Sequence, residues 1–359
     1  MTPVIDVVVI GAGQSGLAAT RALQAQGISP VVLEAGPEPV GSWPRYYDSL
    51  TLFSPARYSA MPSLEFPGDP GHYPHRDEVT AYLRRYAVSL GADIRTSTPV
   101  SAVEAHGQGG FVVHAAAGQT FRAAGVVAAS GSFGHPYLPA LPGRDRFTGQ
   151  LLHVADYRSP HQYAGERVVV VGGGNSAVQV GYELAQVATV TLATRHLVNF
   201  HPQCRDGHDL HYWLAASGFD LLPPEWLSHY LGDHWVVDTG KYRHTLETGQ
   251  LDRRPMFAAF GADGVVWPDG TREHVDTVVF ATGYRPHLDY LSSLGALDGG
   301  GMPLHTGGIS ATHPGLVYLG LEFQRSFSSN TLRGVHRDAE HVIPPLAAHV
   351  HNAPATVGL

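Results

Sequence analysis

The chain has 359 residues with a formal net charge of −8, and only 15% of them are charged against the roughly 25% of an ordinary soluble protein. That length closes two sizeable cores, and the negative balance gives no electrostatic reason to expect a nucleic acid or an anionic membrane as partner. The longest apolar runs fall far short of the ~20 residues that span a bilayer, and no basic region precedes the first strand, so neither a membrane span nor a signal peptide is expected and a cytoplasmic location is the default.

In chain order, residues 5–10 form a near-continuous β-branched run, which predicts a strand buried on both faces of a parallel sheet. The turn Gly11-Ala12-Gly13-Gln14-Ser15-Gly16 follows, and then a helix on which Leu17, Thr20, Ala22 and Leu23 share a face, ending near Gly27. A second apolar run closes a strand–helix–strand unit of about 30 residues. In such a unit Gly11 makes the tight turn, Gly13 lets a pyrophosphate approach the backbone, and Gly16 lets the helix pack against the strand. Glu34 stands 23 residues after Gly11, where a carboxylate can accept both hydroxyls of an adenosine ribose.

The same unit recurs. Val168–Val171 predicts a buried strand, Gly172-Gly173-Gly174-Asn175-Ser176-Ala177 is GxGxxA, and the helix after it carries Val178, Gly181, Leu184 and Ala185 inward. Arg195 stands 23 residues after Gly172, so the position that is acidic in the first unit is basic in the second. An acid there favours a free ribose diol, whereas a guanidinium with Thr194 and His196 beside it can clamp a 2′-phosphate. The first site thus fits FAD and the second NADPH, with NADH use left open by His196. A surface arginine at a strand end is the plain alternative for Arg195.

Residues 131–143 are rich in Pro and Gly and read as a linker. The runs at 125–131 and 276–286 are strands ending in small residues, and the chain then returns through a strand at 315–323 and a terminal helix from about 331. The expected fold is α/β with two Rossmann-like dinucleotide-binding domains. The NAD(P)H domain, 153–281, is inserted into a discontinuous FAD domain, 1–152 and 282–359.

Between the two units lies Phe147-x-Gly149-xxx-His153-xxx-Tyr157, which resembles the FxGxxxHxxx(Y/F) fingerprint of the flavin-containing monooxygenases. With both glycine turns and the Ala281-Thr282-Gly283-Tyr284 run in the same order, the resemblance covers nearly the whole chain and is similar to the short bacterial members. Related Baeyer–Villiger enzymes carry Trp where this chain has Tyr157. The resemblance implies that NAD(P)H reduces the flavin, that the reduced flavin takes O2 as a C4a-hydroperoxide, and that a small soft nucleophile, a sulfide with an amine or ketone as the alternatives, receives its distal oxygen. It further implies FAD contacts from Gly11, Gly13, Gly16, Glu34, Ser42, Trp43, Gly131 and Gln324. Gly172, Gly174, Asn175, Ala177, Thr194, Arg195 and His196 would hold NAD(P)H, and Phe147, Gly149, His153 and Tyr157 would form a hinge in which His153 is not an acid–base group. A homodimer is implied too.

One position departs from the family. Phe53 stands where an asparagine usually faces the flavin, and a phenyl ring offers no polar contact there. The expectation is more leakage to hydrogen peroxide, which keeps an NAD(P)H oxidase as a rival. A disulfide reductase needs a cysteine pair, and Cys204 is the only cysteine. A non-catalytic redox sensor would bind both dinucleotides without turnover. The segment 200–244 gathers His201, His208, His211, His229, His234 and His244 with Trp213, Trp226, Tyr230 and Trp235. His208 and His211 share a helical spacing, yet no recognisable ligand set completes them, so no metal is expected and the segment reads as core or dimer contact before substrate pocket. The apolar run at 339–350 fits either a docking helix or a lid.

Overall fold

The computed structural model describes residues 4–230 and 235–352. The run Val4–Ile10 forms a central strand of a nine-stranded sheet, parallel to Val31–Leu33 on one side and Thr120–Ala128 on the other. Its unbroken apolar character follows from burial on both faces. Val7 and Val9 pack with Leu17, Leu23 and Tyr82 in one core, while Val8 and Ile10 pack with Phe111, Phe121 and Leu291 in the other. Asp93–Arg95 edges the sheet beyond Val31–Leu33, and Leu316–Tyr318 joins Thr120–Ala128 in parallel register.

The second sheet has five parallel strands in the order Asp252–Pro255, Thr189–Thr194, Arg167–Val171, Thr277–Phe280, Gln150–His153. Its last strand straddles residues 152 and 153, where the sequence reading divides the domains. Leu151 and Leu152 pack in the cores on opposite faces of this sheet, which is why the whole strand belongs to it. The chain therefore leaves the first sheet after Ala128, builds the second between Gln150 and Phe280, and returns to the first with His305–Thr306, Ile309–Ser310 and Leu316–Tyr318.

The terminal helix is Val335–Asn352, four residues later at its start than the apolar pattern suggests. It buries Val335, Ala339, Val342, Ile343, Leu346, Ala347 and Val350 in the core shared with the helix Gln14–Ala25. This i, i+4, i+7 stripe is a core face, so the helix is docked on the first sheet. No helix among the described residues is long and apolar enough to cross a membrane.

Candidate active site

Each sheet ends in a glycine turn that feeds a helix. In the first, Gly11 has φ +100°, and a Cβ on Gly16 would lie 1.8 Å from the Gly11 carbonyl oxygen. The helix therefore seats against the strand end as closely as backbone allows. Its N-cap, Gly13, supplies no side-chain cap, and the first turn holds no acidic residue. Amide N–H groups without intrahelical partners thus remain open at the positive end of the helix dipole, which suits a diphosphate.

Glu34 is buried, with 7% of its surface exposed. Its Oε2 accepts from the Ala12 N–H at 2.6 Å and its Oε1 from the Gly36 N–H at 2.7 Å. Each oxygen keeps further acceptor capacity for a ribose hydroxyl. Around the turn, the Trp43 indole donates to Gln14 Oε1 at 2.9 Å, and the Gln14 amide donates to the Asn330 carbonyl at 2.7 Å. Ser42 opens the short helical turn Trp43–Arg45. Gly131 is exposed, and its carbonyl accepts from the His287 N–H at 2.8 Å. The buried Gln324 is occupied by its own loop, donating to the Tyr318 carbonyl at 3.0 Å and accepting from the Leu321 N–H at 3.3 Å.

The second turn differs at its last position. Gly172 has φ +137°, with Ala177 buried at the position that Gly16 holds in the first. The N-cap, Gly174, again supplies no side-chain cap, and no acidic residue follows in the first turn. Asn175 uses its side chain to hold the strand Trp235–Asp238, donating to the Trp235 carbonyl at 3.1 Å and accepting from the Val237 N–H at 3.0 Å. The Thr194 hydroxyl donates to the His196 carbonyl at 2.7 Å. Arg195 is exposed and makes no hydrogen bond or ion pair among the described residues. Arg253, which the sequence reading missed, donates to the Thr194 hydroxyl at 2.7 Å and to the His196 carbonyl at 3.1 Å. Nothing local marks it; the pairing of Asp252–Pro255 with Thr189–Thr194 brings it there.

Of the fingerprint residues, Phe147 is buried in the second sheet's core, and a Cβ on Gly149 would lie 2.5 Å from the Asp276 carbonyl oxygen. His153 is buried, and desolvation holds its pKa below the ordinary value. Its Nδ1 accepts from the Ala155 N–H at 3.1 Å, leaving Nε2 as the donor to the Gly283 carbonyl at 3.1 Å. A neutral ring thereby ties the strand Gln150–His153 to the run 281–284. Tyr157 is fully buried and stacks on Tyr163, with burial and then nearby Glu183 pushing its hydroxyl far above the usual phenol range. The next residue, Arg158, donates to the carbonyls of Arg45 and Tyr46, and its own carbonyl accepts from the Asp48 N–H at 2.9 Å. This is a second residue that the sequence reading missed, and it couples the end of the fingerprint segment to the segment after Trp43.

Phe53 is 41% exposed, and its carbonyl accepts from the Gln203 amide at 3.2 Å. Its ring stacks on His211 with centroids 6.0 Å apart. His211 donates through Nδ1 to Asp209 at 2.8 Å, and Tyr73 donates to the other oxygen of that carboxylate at 2.7 Å. Burial alone would raise the Asp209 pKa, but the hydrogen bonds from His211 and Tyr73 outweigh it and hold the group below the usual carboxylate value. His208 is exposed and stacks on Tyr212, so His208 and His211 engage different partners. Among the described residues no three His, Cys, Asp or Glu side chains gather as a metal would need. His234 lies outside the described residues, as do the side chains of His229 and Tyr230. A groove of about 470 Å³ opens beside this segment, lined by Tyr73, Gln203, Cys204 and Arg243 among others and by none of the turn residues.

Residues 8–217 match the family described as pyridine nucleotide-disulphide oxidoreductase. An uncharacterized CzcO-like oxidoreductase of Geobacillus kaustophilus is 30% identical over 351 residues, covering 97% of this chain and 100% of that one. An indole-3-pyruvate monooxygenase of Oryza sativa subsp. japonica is 31% identical over 325 residues, 80% of this chain and 78% of that one. The solved structure of a flavin-containing monooxygenase from Stenotrophomonas maltophilia superposes with a TM-score of 0.84 at 33% identity, covering 96% of this chain and 98% of that one. The chain belongs to the pyridine nucleotide-disulphide oxidoreductase family and, within it, to the flavin-containing monooxygenases, enzymes that work with FAD and NADPH.

Proposed function

We propose that this enzyme oxygenates small, uncharged soft nucleophiles, sulfides first among them, at the expense of NADPH and O2. The observation that carries the reading is the pair of uncapped helix N-termini, one followed by the buried Glu34 and the other by the basic Arg195 and Arg253. Gly11, Gly13, Gly16 and Glu34 hold FAD, with Ser42, Trp43 and Gly131 around it and Gln324 shaping the loop beside it. Gly172, Gly174, Ala177 and the Asn175 backbone receive the nicotinamide dinucleotide, whose 2′-phosphate meets Arg195 on the turn of Thr194 and His196. The chemistry that bound FAD supplies is acceptance of hydride from NADPH and activation of O2; the chain's own task is to orient the partners and exclude water.

His153 serves this as a neutral tie between the hinge and the second sheet, and both of its ring nitrogens are already engaged. Phe53 presents an apolar surface with no acceptor for an ammonium, which favours a neutral sulfide over a protonated amine. The same absence of a polar group supports a second reading, an oxidase that releases hydrogen peroxide.

The test is NADPH oxidation in air with and without an aryl methyl sulfide, with sulfoxide and hydrogen peroxide both quantified. Sulfoxide that rises as peroxide falls, in proportion to NADPH consumed, supports oxygenation. Peroxide that accounts for all the NADPH whatever sulfide or amine is offered gives the protein to the oxidase reading.

A further inference from the structure

The connector that leaves the second sheet after Thr194 crosses onto the first domain at two places. At one foot, the buried Asp220 receives a two-pronged fork from the Arg333 guanidinium, Nε donating to Oδ2 at 2.9 Å and Nη2 to Oδ1 at 2.8 Å. The Ser328 hydroxyl donates to the Asp220 carbonyl at 2.9 Å, and Phe219 meets Phe327 edge-on. At the other foot, Tyr73 donates to Asp209, Gln203 donates to the Phe53 carbonyl, and His211 lies against the rings of Phe53 and Tyr58.

These feet stand on two walls of the first domain that share the core of Ala12 and Leu17, through Leu332 on one side and through Leu52 and Ala56 on the other. One is the loop 320–334, where a Cβ on Gly320 would lie 2.0 Å from Ser15 Oγ and where Asn330 takes the Gln14 amide. The other carries Phe53. A connector fixed to both walls spans the space between them. Burying an ion pair is a poor way to gain stability, because desolvation offsets the attraction, but a bidentate fork accepts only one docking pose.

We propose that residues 199–221 form a roof over the flavin cleft, and that Asp220 and Arg333 are a positioning pair that latches it. The proposal rests on the reading above in placing the flavin beside Phe53. When the latch holds, the nucleotide-binding domain itself closes the substrate side of the cleft against water.

The experiment uses the FAD-loaded enzyme and its variants Asp220→Asn, Arg333→Gln, the double variant and the charge-retaining Arg333→Lys. Iodide quenching of the bound flavin's fluorescence reads solvent access without requiring any product, and the peroxide formed per NADPH reads function. The expected result is a rise of about threefold or more in the quenching constant and in the peroxide fraction, with the NADPH KM within about twofold of wild type. The double variant matches the singles instead of adding to them, as partners in one contact must. Where the neutral variants fail to fold, Arg333→Lys carries the test with a smaller rise in the same two readouts. The roof is overturned if iodide reaches the wild-type flavin as freely as it reaches free FAD, or if fully loaded variants match wild type in both readouts. If wild type makes only peroxide, the substrate reading fails, while the quenching measurement still decides the roof.

Discussion

Arg253 donates to the Thr194 hydroxyl at 2.7 Å, so the turn that carries Arg195 is braced by a guanidinium from the neighbouring strand. Neither Arg195 nor Arg253 has a carboxylate partner among the described residues, and both positive charges stand at one strand end. We predict that Arg195→Ala and Arg253→Ala each raise the KM for NADPH about tenfold, the scale of one lost charge-assisted hydrogen bond, while the KM for NADH stays put. Affinity for 2′,5′-ADP should fall in step. An unchanged NADPH to NADH ratio in both variants would remove the two arginines from the phosphate site.

The two glycine turns should respond differently to a methyl group. In Gly16→Ala the new Cβ would lie 1.8 Å from a backbone oxygen that cannot move without opening the turn, so loss of FAD and destabilisation by about 3 kcal/mol or more are expected. A Cβ on Gly174 meets no protein atom within 4 Å. Gly174→Ala should keep its fold and its FAD yet bind NADPH more weakly, because only the incoming pyrophosphate needs that space. Flavin content after gel filtration and the NADPH KM separate the two outcomes.

Acid should destabilise the protein through its desolvated histidines. Burial lowers the pKa of His153, His201, His305 and His336 from 6.5, so the folded state holds fewer protons on them than the unfolded chain does. Their contribution is present above the unfolded value of about 6.5 and is lost as pH falls below it toward the depressed folded values. Melting temperature should drop between pH 7 and pH 5. His153→Gln, whose amide can still donate to Gly283 and accept from Ala155, should show a shallower drop; a parallel acid limb would exonerate His153.

Phe53→Asn places an amide where the ring now offers no polar atom. If Phe53 lies against the flavin as proposed, the peroxide formed per NADPH should fall severalfold in this variant at unchanged flavin content, by an amount on the scale of one neutral hydrogen bond. A peroxide fraction that does not move would show that the ring is not at the reacting face.

Both glycine turns were legible in the sequence because each is a local device. Strand, turn, helix and second strand occupy a few tens of consecutive residues, and Glu34 and Arg195 fall at the same offset from their first glycines. The buried strands were legible for a similar reason, since a strand covered on both faces must be apolar throughout. The terminal helix was half legible: its apolar stripe was visible, but a core face and a lid have the same stripe, and only packing against the helix Gln14–Ala25 separates them.

What tertiary structure alone decided are the pairings between distant residues. Arg253 reaches Thr194 through parallel strand register, Arg158 reaches Tyr46 from the end of the fingerprint segment, Tyr73 finds Asp209, and Arg333 finds Asp220 more than a hundred residues away. Each is a polar side chain whose partner depends on how two sheets and one connector dock. No spacing along the chain encodes that docking, because it is settled by burial and shape over whole surfaces and not by neighbours in sequence.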